Sequence, residues 1–341
     1  MNRKVLVTGG AGYIGSHTTV ELINAGYEVI IVDNFSNSDP SSLEGVERIT
    51  GVKPTFIEVD CCDKEALRKV FEAHDFMSVI HFAAYKAVGE SVEKPLMYYR
   101  NNMLSLINVL DLMSEYNRPN IVFSSSATVY GDADVLPVTE LTPRKPATSA
   151  YGNTKQMAED ILRDATSASA MLHGIALRYF NPIGAHPSAL IGELPRGVPN
   201  NLVPYITQTA AGVRECLSIF GDDYATPDGS CQRDFIDIVD LARAHVVAIG
   251  RMVEGRSKSQ YEVFNVGTGR PVSVFELVNG FEKANNLKLN YKIAARRSGD
   301  VPAVWADTTL ANEELGWKAE RELNDTLRAA WMWEKHVRGI E

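Results

Sequence analysis

Tyr151 and Lys155 stand four residues apart in the run Tyr151-Gly152-Asn153-Thr154-Lys155, which puts both side chains on one face of a helix. Ser126 lies 25 residues earlier, closing the triplet Ser124-Ser125-Ser126 behind the apolar run Asn120 to Phe123. A tyrosine with a reference pKa of about 10 is ionised to about 0.1% at pH 7. Using Tyr151 as a base therefore means lowering its pKa by around three units, on the order of 4 kcal/mol. One unit charge 4 Å away contributes about 4 kcal/mol at an effective dielectric near 20. Lys155 is one such cation, a second is needed if each is partly screened, and Ser126 would hydrogen-bond the same substrate oxygen.

The second cation is suggested near the N-terminus. Val5-Leu6-Val7-Thr8 leads into Gly9, Gly10, Gly12 and Gly15, and a helical pattern follows at once. A strand-to-helix turn of this kind needs positive φ, and a pyrophosphate must approach bare backbone. The helix start then offers free N–H groups and a partial positive charge to the phosphates. Asp33 ends the next strand 18 residues after Gly15, where a carboxylate can accept from adenosine ribose hydroxyls. No Lys or Arg occurs between Lys4 and Arg48, so nothing local would hold a 2′-phosphate. NAD rather than NADP is the expected cofactor, and its oxidised nicotinamide would be the second cation.

These residues need a scaffold, and the first half of the chain supplies the pattern for one. Strands are expected at Lys4 to Val7, Glu28 to Val32, Thr55 to Val59, Ser78 to Phe82, Asn120 to Ser124 and Ile175 to Tyr179. Helical spacing separates them, at Tyr13 to Ala25, Pro95 to Tyr116 and Ala150 to Ala165. This alternation predicts an α/β fold: a Rossmann-type doubly wound parallel sheet with a smaller mixed α/β C-terminal substrate domain. From Asn181 to Asn201 the texture turns loop-rich, with Pro182, Pro187, Pro195 and Pro199. Domains 1–180 and 181–341 are expected, with segments around 235–266 free to return to the first. Further on, Phe264 to Val266 reads as a strand, Ser273 with Glu276 as a capping box, and Leu327 to Val337 as a final helix.

Composition narrows the partners. Of 341 residues 45% are hydrophobic and 23% charged, and the net charge is −9, the wrong sign for a nucleic-acid or anionic-membrane partner. Cys61, Cys62, Cys216 and Cys231 show no metal or disulfide spacing, and the histidines match no zinc pattern. Neither a signal-peptide core nor a run of 18 apolar residues is present. A cytoplasmic protein without a metal is expected.

Several blocks carry a resemblance: TGGAGYIG from Thr8 to Gly15, HFAAYKAVGESVEKP from His81 to Pro95, SSSATVYG from Ser124 to Gly131, Tyr151-x-x-x-Lys155, RYFNPIGAH from Arg178 to His186, and Pro199-Asn200-Asn201-Leu202. They resemble the extended short-chain dehydrogenase/reductase superfamily and, within it, the UDP-glucose 4-epimerase family, from about residue 3 to residue 334. The resemblance implies NAD-dependent, reversible C4 epimerisation of UDP-hexoses through a transient 4-keto sugar. Tyr151 would take the 4-hydroxyl proton, with Ser126 and Lys155 beside it, and the cofactor, regenerated each turnover, would be held tightly.

By that resemblance Gly9, Gly12, Tyr13, Ile14, Gly15, Asp33, Asn34, Asn37 and Asp60 hold the adenosine and pyrophosphate side of NAD. Phe82, Ala83, Lys86, Asn101, Tyr151, Lys155 and Tyr179 surround its nicotinamide half. Position 61, a branched aliphatic in relatives, is Cys61, which leaves that adenine contact open. The UDP-sugar falls to Lys86, Ser126, Asn181, Asn201, Leu202, Phe220, Arg233, Arg297, Asp300 and Val304. Arg233 and Arg297 supply the local cations that an acidic protein needs for a diphosphate. Val304 replaces a bulky tyrosine frequent in relatives, which suggests room for UDP-GlcNAc and UDP-GalNAc beside UDP-glucose and UDP-galactose. The resemblance further implies a homodimer through the helices at 95–116 and 150–165.

Two rival readings remain. A nucleotide-sugar 4,6-dehydratase or decarboxylase shares the first oxidation, but dehydratases carry an Asp-Glu pair where this chain has Ala127 and Thr128, which cannot act as acid and base. A non-catalytic NAD-binding scaffold or sensor would be expected to lose Tyr or Lys of the pair, and both are present.

Overall fold

A computed structural model of the chain describes residues 3–297 and 300–341. Seven parallel strands form its main sheet: β1 (Lys4–Thr8), β2 (Glu28–Asp33), β3 (Thr55–Glu58), β4 (Ser78–His81), β5 (Asn120–Ser126), β6 (His173–Tyr179) and β10 (Tyr261–Val266). Their order across the sheet is β10-β6-β5-β4-β1-β2-β3, so the direction of winding reverses between β1 and β4. Such a reversal opens a crevice at the carboxyl ends of the strands, where ligands of doubly wound folds bind.

Helices cover both faces: α1 (Tyr13–Asn24), α2 (Ser41–Thr50), α3 (Lys64–Ala73), α4 (Val88–Glu93), α5 (Pro95–Glu115) and α6 (Ala150–Ala168), joined later by α8 (Ile238–Val253). Strand alternation divides the core between the faces. Val5, Val7, Val29 and Ile31 pack with Leu241, Ala248 and Ile249 of α8. Leu6, Ile30 and Val32 pack with Leu67 and Phe71 of α3, Leu106 and Val109 of α5, and Leu162 of α6. Both sides of each strand are apolar, which is why the strands read as continuous hydrophobic runs.

The remaining elements build a smaller body of mixed strands. β7 (Asn181–Ile183), β9 (Gln232–Asp237), β11 (Pro271–Ser273) and β13 (Ala303–Val304) make one sheet, and β8 (Leu217–Phe220) pairs with β12 (Tyr291–Ala294). α7 (Leu202–Ala210), α9 (Val274–Asn285) and α10 (Leu323–Arg338) pack there around Leu217, Leu277, Phe281 and Leu327. The capping box of Ser273 and Glu276 at the start of α9 is formed. β7 lies inside the stretch expected to be loop. It runs three residues around Pro182, which has no N–H to donate, and pairs with β9 alone, as an edge strand can.

Candidate active site

The glycine turn connects β1 to α1. Gly9 takes φ of +71°, and a Cβ there would stand 2.8 Å from the Ala83 nitrogen, so the turn touches the segment after β4. Gly15 is excluded from carrying a side chain by the Gly9 carbonyl, 2.3 Å from where its Cβ would be. Its place is helix-to-turn packing. α1 starts at Gly12 with no side-chain cap, which leaves the first-turn N–H groups, those of Tyr13 and Ile14 among them, to a ligand or solvent.

Asp33 is more heavily used than its expected role requires. Its carboxylate accepts from Ala11 N at 3.0 Å, Phe35 N at 2.9 Å and Ser38 Oγ at 2.7 Å. The residue therefore organises the phosphate turn, and a carboxylate with about four lone-pair sites keeps capacity for a ribose hydroxyl. Asn34 Oδ1 accepts from Ser36 N, Asn37 is exposed, and Asp60 Oδ1 accepts from Cys62 N at 2.8 Å. Cys61 is buried in the sheet core, and burial pushes its thiol far up. Cys62 instead turns toward Asn101 of α5.

The end of β5 meets α6 rung by rung. Ser149 caps α6 by accepting from Gly152 N at 3.1 Å, which fixes where the helix starts and hence the face that Tyr151 and Lys155 share. Ser126, whose Oγ accepts from Thr128 N at 3.2 Å, lies near enough to the Tyr151 hydroxyl to favour its ionised form. Lys155, 4% exposed, donates to the Ser124 carbonyl at 2.6 Å, with Nζ 5.7 Å from the Tyr151 ring centre. The Ser124 hydroxyl bonds that of Tyr179. Phe82 and Tyr179 flank the ring of His245 of α8, at 4.8 and 5.7 Å between centroids.

Burial dominates the electrostatics here. It pushes Tyr151 up to about 12 against the opposing bond from Ser126, and pulls Lys155 down to about 7 against the pull of Glu159. The shift Tyr151 needs for work at pH 7 is thus about five units rather than the three read from its reference value, because folding half-buries the phenol and withdraws part of its hydration. His81, His17 and His245 are held neutral by burial, at about 3, 3 and 4.

The smaller body gathers the remaining residues. Arg297 grips Asp300 with Nε at 3.1 Å and Nη2 at 2.8 Å, and Arg233 Nη2 stands 3.8 Å from the same carboxylate. The Arg297 guanidinium lies 5.8 Å from the Phe220 ring. Val304 is in register with Arg233, and Asn181 with Phe235 of the same strand. Asn201 precedes α7, whose first residue is Leu202. Asn201 Nδ2 donates to Glu193 at 2.7 Å, and Lys86 Nζ reaches the same carboxylate at 3.0 Å. Tyr13 donates to the Gly184 carbonyl at 2.7 Å, joining α1 to this body.

Glu193 and His245 were not among the site residues expected from the sequence, and Thr128, read there only as unable to act as acid or base, has its Oγ1 buried without a partner. Glu193 sits in the proline-rich stretch, where no periodicity points to it. Among the described residues no cluster of side chains is arranged to hold a metal, no helix is long and apolar enough to cross a membrane, and the four cysteines are unpaired.

A glycine turn at the switch point of a parallel sheet, with Ser, Tyr and Lys on the adjoining strand and helix, defines a dinucleotide-binding scaffold of the short-chain dehydrogenase/reductase type. The family model described as GDP-mannose 4,6 dehydratase matches residues 6–330. UDP-glucose 4-epimerase from Mus musculus is 49% identical over 338 residues, 97% of this chain and 96% of that protein. The crystal structure of UDP-glucose 4-epimerase from Bifidobacterium longum, in complex with NAD+ and UDP, superposes with a TM-score of 0.94 at 46% identity, covering 99% of this chain and 100% of that one. The enzyme from Stenotrophomonas maltophila, with bound NAD and formylated UDP-arabinopyranose, superposes at 0.96 with 45% identity over 99% and 100%. The chain belongs to the UDP-glucose 4-epimerase family.

Proposed function

We propose that this protein is an NAD-dependent UDP-hexose 4-epimerase that interconverts UDP-glucose and UDP-galactose. The observation that carries the proposal is the meeting of Ser126, Tyr151 and Lys155 at the carboxyl end of β5, on a scaffold 49% identical to an epimerase over nearly its full length. The residues present fit NAD. The start of α1 is uncapped, the Gly9 turn has no room for a Cβ, and Asp33 presents a carboxylate at the end of β2. When bound, NAD accepts hydride from the sugar and returns it.

The chain's own residues do the rest. Tyr151 Oη takes the proton of the 4-hydroxyl and, once the 4-keto sugar has turned and its other face has received hydride at C4, gives the proton back to the same oxygen, which Ser126 also bonds. Lys155, anchored on Ser124, supports the phenolate. Arg233 and Arg297 face the diphosphate, so the specific contacts fall on the nucleotide and the sugar stays free to turn between the two half-reactions. Ala127 and Thr128 offer no titratable group, which speaks against elimination of water from C5 and C6. Incubating the protein with UDP-galactose and no added reductant is expected to yield UDP-glucose. No turnover, or a 4-keto-6-deoxy product, would remove the proposal.

Three finer readings accompany it. Val304 lies beside Arg233 and packs against the apolar cluster of Val129, Tyr130, Val138, Phe180 and Ala306, and its small side chain favours acceptance of the 2-N-acetylated pair, UDP-GlcNAc and UDP-GalNAc. More than about 10³-fold lower kcat/KM on that pair, far beyond what one pocket contact supplies, removes this reading. Leu96, Leu104 and Ile107 of α5 and Met157 of α6 are exposed on helices that pack together, which supports a homodimer through them. β10 lies at the edge of the main sheet and α8 against α1. That arrangement favours a nucleotide domain of 1–180 joined by the segment around 235–266, with the rest of 181–341 for the sugar.

A further inference from the structure

Glu159 lies one turn beyond Lys155 on α6, continuing the line Tyr151, Lys155, Glu159, and is 2% exposed. Three successive serines of β5 meet three successive turns of this helix. Ser126 meets Tyr151, the Ser124 carbonyl accepts from Lys155, and Ser125 Oγ donates to Glu159 Oε1 at 2.5 Å. On the far side Arg178 of β6 closes a two-point pair, Nε to Oε1 at 2.9 Å and Nη2 to Oε2 at 2.6 Å. Arg178 is itself tied to the Tyr130 hydroxyl at 3.0 Å, and Tyr130 to Asn265 at 2.5 Å. A buried ion pair of this kind adds little stability over an apolar pair of equal volume, so its place beside the candidate catalytic lysine calls for another use.

We propose that Glu159 is a positioning residue: it locks α6 to β5 in the register that sets Lys155 on Ser124 and Tyr151 on Ser126, and its carboxylate is the counter-charge that keeps Lys155 an ammonium. The inference rests on the epimerase reading above. On α6 Lys155 faces Tyr151 and Glu159, on β4 His81, and on β6 Tyr179 through Ser124. Tyr98 of α5 lies near Tyr151. Glu159 faces Ser125, Arg178, Tyr261 of β10, and Arg144 at 3.7 Å. Among the described residues Glu159 is the acid whose charge favours the charged form of Lys155, against the burial that opposes it.

The test is the pH dependence of kcat for UDP-galactose, measured on the NAD-loaded enzyme. Wild type is measured first, and its failure to turn over would sink the epimerase reading itself. With wild type active, Glu159→Gln is expected to move the alkaline limb of kcat, where Lys155 loses its proton, to lower pH by about one unit, the usual effect of removing one close opposite charge. Glu159→Asp, which keeps the charge, should leave the limb in place while lowering kcat. Should Glu159→Gln fail to fold, Glu159→Gln combined with Arg178→Met replaces the buried pair by neutral groups of similar volume, a change proteins tolerate. It should show a smaller displacement in the same direction, since the Arg178 cation is removed with the carboxylate. An alkaline limb at the wild-type pH in the folded neutral variant, with only thermal stability reduced, overturns the inference and leaves Glu159 a packing residue.

Discussion

Replacing Lys155 by Met tests the electrostatics of the site most directly. Burial places Tyr151 at about 12, so working near pH 7 demands about five units, or about 7 kcal/mol at 1.36 kcal/mol per unit. Lys155 Nζ is 5.7 Å from the ring centre. A unit charge at that range and an effective dielectric near 20 supplies about 3 kcal/mol, roughly two units, and leaves about 4 kcal/mol to the positive ring of the bound cofactor. Lys155→Met should therefore raise the acid limb of kcat by about two units and reduce turnover about 100-fold below it. Methionine fills most of the same volume, so NAD retained through gel filtration, read by absorbance after denaturation, checks that the site is intact. The decisive measurement is kcat against pH from 6 to 10 with UDP-galactose. A limb at the wild-type pH, with NAD retained, would refute the assignment of Lys155 as the charge that sustains the phenolate.

Other expectations follow from the same geometry. Tyr151→Phe should keep NAD and UDP binding by calorimetry but lose about 10² to 10⁴ in kcat, the usual range for a positioned acid or base; near-normal turnover would assign the base elsewhere. Asp33→Ala strips a partner from Ala11 N, Phe35 N and Ser38 Oγ, so NAD affinity and melting temperature should fall together. Added with a nearby Lys, it should also shift preference toward NADP. Unchanged NAD affinity would leave Asp33 a turn residue only. His17, His81 and His245 have folded pKa values of about 3, 3 and 4, below the ordinary 6.5. As pH drops from about 6.5 toward 4 the unfolded chain takes up protons that the folded chain refuses, so these groups lower stability by about 4 kcal/mol per pH unit together. Urea midpoints that match at pH 6 and pH 5 would contradict this.

What the sequence disclosed was whatever depends on short-range spacing. The glycine turn, the i, i+4 pair on α6, the Ser273 and Glu276 cap and the runs of β1, β2 and β5 are all written within a few residues of one another, and the structure places them where the spacing puts them. The smaller body was not legible. Its strands, such as Asn181–Ile183 and Ala303–Val304, are two or three residues long and pair with β9 across more than fifty residues of chain. No local period marks such a partner. The partial burial of Tyr151 was hidden for another reason: reference pKa values describe a phenol in water, and only the packed fold shows how much of that water it loses. Glu159 was within reach, since extending the Tyr151 and Lys155 spacing by one more turn lands on it.

Glu193 links the two halves of the cleft, holding Lys86 of the loop after β4 and Asn201 at the head of α7 on one carboxylate. A tether shared in this way makes the two halves answer to each other. If, on the function proposed above, a dinucleotide near Lys86 changes the affinity for a nucleotide sugar at Asn201 through this tether, thermodynamic reciprocity requires the sugar to change the affinity for the dinucleotide by the same factor. A coenzyme that must not escape in mid-reaction would be held hardest with the sugar aboard if that factor favours binding.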